Sequence, residues 1–238
     1  MTGTVPISKI AGVQLSPPSG GIARVSVTDR GAVNQLSWDR YVRLKQAAAY
    51  VESRRRAQNR LLDVGGFDGA LALFLADVEV DLLDPDTTGG SALAIQADDW
   101  SYDFVTAIDV LEHVEPSQRS RALRECARVS GSHIVLNYPC VASASAQSLM
   151  LKLTGNMLIK QHVDWPLPDS DLIMSELSQL GFKCQLKPHS SVAVWVGQYL
   201  SQNLLAEEAK DLNRYLIDQH AEENFTVPLY HLVTAQRV

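Results

Sequence analysis

From residue 60 onward, short apolar runs alternate with stretches of helical spacing. Strands are predicted at 60–64, 78–83, 92–97, 103–109 and 132–138, and helices at 70–76 and 116–129. Strand–helix alternation at this pitch is typical of βαβ units, which form a mostly parallel sheet covered by helices. The sequence therefore predicts an α/β protein.

The segments on either side of this region have different patterns. Helices are predicted at 36–56, 146–159, 170–180, 192–200 and 205–220, and further strands at 182–186 and 229–235. Residues 1–34 are rich in Ser, Thr, Gly and Pro without a persistent period, which favours a loosely ordered leader. We therefore expect a single domain over residues 35–238, with insertions at about 140–168 and 190–225.

Composition excludes several classes of protein. Apolar stretches such as Val192–Val196 are far shorter than the roughly 20 residues that a membrane-spanning helix needs. The N-terminal residues also lack the apolar core of a secretory signal. A net charge of −6 disfavours a general nucleic-acid binder, because those proteins usually carry a basic surface. We expect a cytoplasmic protein without a transmembrane segment.

The three cysteines, Cys126, Cys140 and Cys184, form no CxxC pair and have no histidine at metal-ligand spacing. This pattern favours reduced thiols in a cytosolic protein, and the sequence predicts no metal site.

The segment Leu61–Ala70 carries the strongest indication of function. An apolar strand runs into Gly65, Gly66 and Gly69 and then into a predicted helix, so a ligand would meet unpaired N–H groups at the helix start. Asp84 ends the second strand, where a carboxylate can accept hydrogen bonds from two ribose hydroxyls. Further on, the 96–100 segment offers Asp98 or Asp99 to an adenine amino group and Trp100 to its ring.

Two nucleoside-binding patterns compete for this glycine loop. A dinucleotide fingerprint, GxGxxG, starting at Gly65 would need glycines at positions 67 and 70, where the chain has Phe67 and Ala70. The alternative pattern places an acidic residue two positions before the first glycine, as Asp63 is here. That alternative is the pattern of S-adenosyl-L-methionine (SAM) binding.

On these residues the chain resembles the class I SAM-dependent methyltransferases. Asp63–Gly69 looks like their first motif, and Asp84 matches their ribose-binding acid. Tyr102–Val114 is similar to their fourth-strand signature, in which a strand beginning with an aromatic residue and Asp leads into Leu-Glu-His. The resemblance covers roughly residues 58–238 and is densest over 61–138.

The resemblance implies a Rossmann-like, seven-stranded, mostly parallel sheet with helices on both faces and helical insertions near the acceptor side. It implies SAM as the cofactor, with S-adenosyl-L-homocysteine (SAH) as product. The residues expected to contact it are Asp63, Gly65, Gly66, Phe67, Gly69, Asp84, Pro85, Asp98, Asp99, Trp100 and Ile108. The choice between Asp98 and Asp99 as the adenine contact stays open. Phe67 departs from the family pattern because it replaces the middle glycine of the motif. Gly66 could supply the backbone freedom that this replacement removes.

On the acceptor side the resemblance points to His113 as a catalytic residue and to Tyr138, His162 and Asp164 as acceptor contacts. Methyl transfer from a sulfonium is an in-line displacement that requires mainly positioning, so no catalytic triad is expected. We expect a small-molecule acceptor, such as a sugar or a lipid-linked intermediate. A non-catalytic SAM-fold scaffold is the alternative, a NAD-dependent reductase is a distant third, and a homodimer is left open.

Overall fold

The computed structural model describes residues 10–56, 58–205, 207–223 and 227–238, which build a single mixed sheet with helices around it. The strands are β1 Val13–Leu15, β2 Ile22–Val27, β3 Arg60–Val64, β4 Glu79–Leu83, β5 Tyr102–Ile108, β6 Ser130–Pro139, β7 Phe182–Ser191 and β8 Pro228–Arg237. The helices are α1 Trp38–Arg54, α2 Arg119–Val129, α3 Ala144–Thr154, α4 Met157–Asp164, α5 Ser170–Gln179, α6 Val192–Leu204 and α7 Ala209–His220.

The centre of the sheet is parallel and its two sides are antiparallel. The strand order is β1-β2-β4-β3-β5-β6-β8-β7, with parallel pairing across β4, β3, β5 and β6. The predicted Rossmann-like α/β fold is confirmed, although the sheet has eight strands rather than seven. Because the carboxyl ends of parallel strands meet at one edge, the loops after β3, β4, β5 and β6 lie together there.

The prediction of a loosely ordered leader is wrong for residues 10–34, while residues 1–9 lie outside the described residues. β1 and β2 form a hairpin, and β2 pairs antiparallel with β4 at the side of the sheet. Ala23 and Val25 are buried, whereas Arg24 between them donates to Asp81 at 2.5 Å. This alternation is the usual pattern of a half-buried strand. The domain therefore begins before residue 35.

The predicted third strand at 92–97 is also wrong. These residues form turns and bends, and the outer neighbour of β4 in the sheet is β2. The turn into β2 needs glycine, because Gly21 has φ +76° and a side-chain carbon there would lie 2.6 Å from the Cα of Gly90. The glycines that suggested a loose leader thus permit a close packing of two loops.

The insertions form a helical layer over one end of the sheet. Trp38 of α1, Met150 of α3, Trp195 of α6 and Leu216 of α7 belong to one buried apolar cluster. α3 packs against α4, and α4 contacts the segment Leu111–His113 that follows β5.

The helix predicted at 70–76 is a single short 3₁₀ helix over Ala70–Phe74. None of the helices in the described ranges is long and apolar enough to cross a membrane.

Candidate active site

The loop after β3 is held tightly against the loops after β4 and β5. The N–H of Gly65 donates to the carbonyl oxygen of Leu83 at 2.6 Å. Gly65 has φ +71°, and a side-chain carbon there would lie 2.5 Å from Cγ2 of Val110. At Gly66 a side-chain carbon would overlap the carboxylate of Asp63 and lie 2.8 Å from Cδ1 of Leu82. Both positions therefore require glycine and shape a bare backbone cradle.

Phe67 takes the conformation that a glycine would normally take. Its φ is +55°, in the left-handed region that costs a residue with a side chain about 1–2 kcal/mol. Its N–H donates to Oδ2 of Asp84 at 3.2 Å. Gly66 was expected to supply the conformational freedom, and this expectation is wrong because Gly66 has no positive φ.

The far side of the glycine loop is tied to α1 and to the N-terminal hairpin. Arg40 of α1 donates to both carboxylate oxygens of the buried Asp68. Gly69 has φ +76°, and a side-chain carbon there would lie 3.0 Å from Cγ1 of Val25 in β2. Arg40 was not singled out from the sequence, because nothing in the helical pattern of α1 distinguishes it from the other arginines of that helix.

Asp63 is a buried carboxyl at the end of β3. Its Oδ1 accepts a hydrogen bond from Oγ1 of Thr106 at 2.7 Å. Burial raises the pKa of Asp63 to about 7, against the opposing effects of the Thr106 hydroxyl and of Arg40. The group can therefore change its charge near neutral pH.

Asp84 lies directly beyond β4 and connects two loops. Its Oδ1 accepts from the N–H groups of Asp86 at 3.0 Å and Thr87 at 2.9 Å, and its Oδ2 accepts from Phe67. A carboxylate oxygen can accept two hydrogen bonds, so Oδ2 keeps one acceptor position. The side chain is thus held in one orientation beside the glycine cradle, which fits a ribose hydroxyl. Pro85 follows it and is exposed.

The structure does not bring Asp98, Asp99 and Trp100 to the glycine loop, which corrects their assignment to the adenine side. Asp98 lines a cavity with Arg60 and Tyr102, at the amino ends of β3 and β5. Asp99 forms an ion pair with Arg128 at 2.9 Å, and the Trp100 side chain is 67% exposed. Only three residues separate Asp98 from β5, and an extended residue spans at most about 3.6 Å, so Asp98 stays near that end of the sheet.

His113 and His162 meet beyond the end of β5, under the helical layer. Their Nε2 atoms are 3.2 Å apart and their ring centroids are 4.8 Å apart. On the other side of each ring, Nδ1 of His113 lies 2.6 Å from Oε1 of Gln161, and Nδ1 of His162 lies 3.3 Å from Oε1 of Gln147. Burial lowers the pKa of His162 to about 4. The structure therefore brings together two of the residues predicted for the acceptor side.

A largely buried charge cluster lies beside these histidines and was not predicted. Asp109 has φ +60°, and its Oδ2 lies 2.8 Å from Nη2 of Arg43. Arg43 also donates to the hydroxyl of Tyr230 at 3.1 Å. Burial opposes ionisation of Asp109, but the guanidinium of Arg43 lowers its pKa below the usual value. Glu112 is fully buried near Asp109, and its burial raises its pKa well above the usual value.

Three other predicted residues lie elsewhere or are covered. Tyr138 is fully buried and donates its hydroxyl to Oγ of Ser170 at 3.0 Å, so its assignment as an acceptor contact is corrected. Asp164 ends α4 and pairs with Lys160 one turn earlier, which corrects its assignment too. Ile108 is buried at the end of β5, next to the strand position that pairs with Val64.

Sequence comparison identifies the family. The family model described as a methyltransferase domain matches residues 38–186, which is more than half of the chain. The chain belongs to this methyltransferase family. It is a SAM-dependent methyltransferase of class I, as the glycine loop and the acid after β4 indicated, and SAM is its cofactor. No curated protein matches the sequence.

Solved structures show the same fold at low identity. A Galdieria sulphuraria protein provisionally assigned as a sarcosine dimethylglycine methyltransferase is 17% identical, with a TM-score of 0.55, and the match covers 83% of this chain and 86% of that one. The (4+2)-cyclase SpnF is 16% identical with a TM-score of 0.53, covering 86% and 83%. A SAM-dependent methyltransferase of Thermotoga maritima is 13% identical with a TM-score of 0.51, covering 87% and 92%. At these identities the likeness shows the fold alone.

Proposed function

We propose that this methyltransferase transfers a methyl group from SAM to a small-molecule acceptor held between the glycine loop and the His113–His162 pair. The observation that carries the proposal is the position of that pair. Val110 packs directly under Gly65, so His113, three residues later, follows the cofactor loop at the same edge of the sheet. α4 brings His162 to within 3.2 Å of it. Two ring nitrogens thus face each other where α4 packs against the segment after β5.

On the cofactor side, Gly65 and Gly66 offer bare backbone, and Oδ2 of Asp84 keeps an acceptor position for a ribose hydroxyl. Asp63 lies behind Gly66, where its carboxylate is close to the loop that would hold the methionine portion. SAM supplies a methyl group on a positively charged sulfur, which is a good leaving group. The protein therefore has mainly to align the acceptor with that sulfur–carbon bond.

On the acceptor side, a neutral imidazole of the His113–His162 pair can take the proton that an oxygen or nitrogen nucleophile loses. Proton removal of this kind contributes typically ~10²–10⁴-fold in rate. The helices above it, α3 and α4, expose Leu149, Leu153, Met157 and Leu158. Four apolar side chains on this layer support an acceptor with an apolar part, such as a lipid-linked sugar.

A labelled methyl group tests the proposal. Purified protein is incubated with methyl-tritiated SAM and a metabolite extract from which macromolecules have been removed, in parallel with the macromolecular fraction. We expect label in the low-mass fraction, with at least a ~10²-fold slower rate in His113→Ala at unchanged SAH affinity. Label confined to protein or nucleic acid would overturn the small-molecule acceptor. SAH binding without any transfer would favour the non-catalytic scaffold.

We predict that SAM affinity rises with pH as Asp63 loses its proton. Because the pKa of Asp63 is about 7 in the folded protein, the group is largely neutral at pH 5 and largely charged at pH 9. A negative carboxylate behind the loop attracts the positive sulfonium of SAM more than the uncharged sulfur of SAH. Calorimetry should show a SAM-to-SAH affinity ratio that increases through pH 7 in the wild type.

The matched variant is Asp63→Asn, whose side-chain oxygen can still accept from Thr106. This variant should show the same affinity ratio at pH 5 and pH 9. A wild-type ratio that does not change with pH would mean that Asp63 does not interact with the sulfonium.

A further inference from the structure

We propose that Glu112, His113 and His162 bind a divalent transition-metal ion of the zinc class. One ligand atom from each side chain lies within 4.8 Å of the others. The site is defined by these three side chains and does not depend on the proposed methyl acceptor. It was not predicted from the sequence, because His113 and His162 are 49 positions apart and come together only in the fold.

The spacing of the two imidazoles fits a shared ion. Zinc lies about 2.0–2.1 Å from a ligating histidine nitrogen in tetrahedral sites. Two nitrogens at that distance and at the tetrahedral angle are therefore about 3.3–3.4 Å apart. The Nε2 atoms of His113 and His162 are 3.2 Å apart, so one ion could be bound by both with almost no movement of either ring.

The groups behind the rings favour an ion over a simple hydrogen bond. Oε1 of Gln161 faces Nδ1 of His113, and Oε1 of Gln147 faces Nδ1 of His162. A carbonyl oxygen only accepts, so both rings carry their proton on Nδ1. Both Nε2 atoms then present lone pairs to each other, an arrangement that a proton or a metal ion between them stabilises. Metal-bound histidines usually donate their other N–H to a carbonyl or carboxylate in this way.

Glu112 supplies the third ligand, and its proton is released to solvent when the ion binds. Its side chain is fully buried, and its carboxyl faces that of Asp109 without a side-chain cation of the described residues to pair with. Its charged neighbour Asp109 is already paired with Arg43 at 2.8 Å. With oxygens up to 4.8 Å from the ring nitrogens, the carboxylate has to approach the ion by about an ångström, which a side chain held by no ion pair can do.

Two nitrogen ligands, one carboxylate and an open fourth position are typical of catalytic zinc sites. Neutral imidazoles also suit cobalt and nickel, whereas magnesium and calcium prefer oxygen ligands. With both Nε2 atoms on the ion neither ring can take a proton, so in the metal-bound protein a water molecule or an acceptor hydroxyl at the open position would take over the role that the free imidazole pair has without the ion. Zinc lowers the pKa of a bound water to about 7, so a hydroxyl held there would release its proton to solvent more readily.

The test uses the protein alone, without SAM or acceptor, so its outcome is separate from that of the methyl-transfer experiment. Chelator-treated, dialysed protein is titrated with Zn²⁺ by calorimetry and with Co²⁺ by visible spectroscopy. We expect one ion per chain and Co²⁺ bands of a four-coordinate site. His162→Ala should lose this binding.

Gln161→Ala provides a second readout because Gln161 is exposed and its loss should leave the fold intact. Removing such an outer partner typically costs ~10–100-fold in metal affinity. His220→Ala removes a histidine that pairs with Glu223 outside the cluster and should change nothing. Zinc binding that is undetectable in the wild type, or undiminished in His162→Ala, would overturn the site.

Discussion

Gly66→Ala should abolish cofactor binding. The added carbon would overlap the Asp63 carboxylate and lie 2.8 Å from Cδ1 of Leu82, and both side chains are buried. Asp63 cannot swing away without losing its bond to Thr106. The loop must therefore move. We expect the affinity for SAH, measured by calorimetry, to fall by at least ~100-fold, or ~2.7 kcal/mol. Overpacking of this kind should also lower the free energy of unfolding by about 1–3 kcal/mol.

The matched control is Gly197→Ala in α6, where an added carbon meets no atom within 4 Å. This variant should bind SAH like the wild type and be slightly more stable, because alanine favours helix over glycine by about 1 kcal/mol. Wild-type affinity in Gly66→Ala would contradict the assignment of this loop to the cofactor.

Asp84→Ala should weaken the binding of SAM and SAH by at least ~10-fold, or ~1.4 kcal/mol. We expect this loss of binding free energy to exceed the loss in the free energy of unfolding. The substitution removes the acceptor for the N–H groups of Phe67, Asp86 and Thr87 and for a ribose hydroxyl. Asp84→Asn separates these roles. Its remaining oxygen can still accept from Asp86 and Thr87, while its amide nitrogen cannot accept from Phe67 or the ribose.

Asp86→Ala is the control for charge. It removes one negative charge, as Asp84→Ala does, but at an exposed residue two positions further along the chain. Calorimetry with SAH on the three variants should rank Asp84→Ala as weakest, Asp84→Asn next and Asp86→Ala close to the wild type. Equal affinities for Asp84→Asn and the wild type would show that this carboxylate does not hold the ribose.

The central parallel strands and the cofactor loop could be predicted because local signals agree there. The apolar strand β3, the glycines after it and Asp84 after β4 each sit at a fixed offset from a strand end. Since parallel strands align their carboxyl ends, sequence offsets translate directly into proximity.

The hairpin at β1 and β2 could not be placed in the same way. The stretch of alternating buried and exposed residues is short. Nothing in the local sequence specifies that β2 pairs with β4, which lies more than 50 residues later. Once β2 takes that place, residues 92–97 have no partner strand, and Asp98 falls at the opposite end of the sheet from the glycine loop. The residues on the adenine side were therefore predicted wrongly, because their position depends on a strand pairing between distant parts of the sequence.

The acceptor side shows the same limit. His113 and His162 were each singled out, yet their contact depends on how α4 packs against the segment after β5. Arg43, Asp109 and the buried Glu112 form a charge cluster from α1 and the residues that follow β5. Helical spacing predicted that α1 has a buried face, but not that a charged side chain of that helix would reach a carboxylate beyond β5.

Calorimetric titration of the purified protein with SAH, beside NAD, tests the central claim most directly, because SAH binds without turning over. We expect one SAH bound per chain, with this binding lost in Gly66→Ala and kept in Gly197→Ala. Well-folded protein that binds no SAH, or that binds only NAD, would contradict the assignment of this site to SAM.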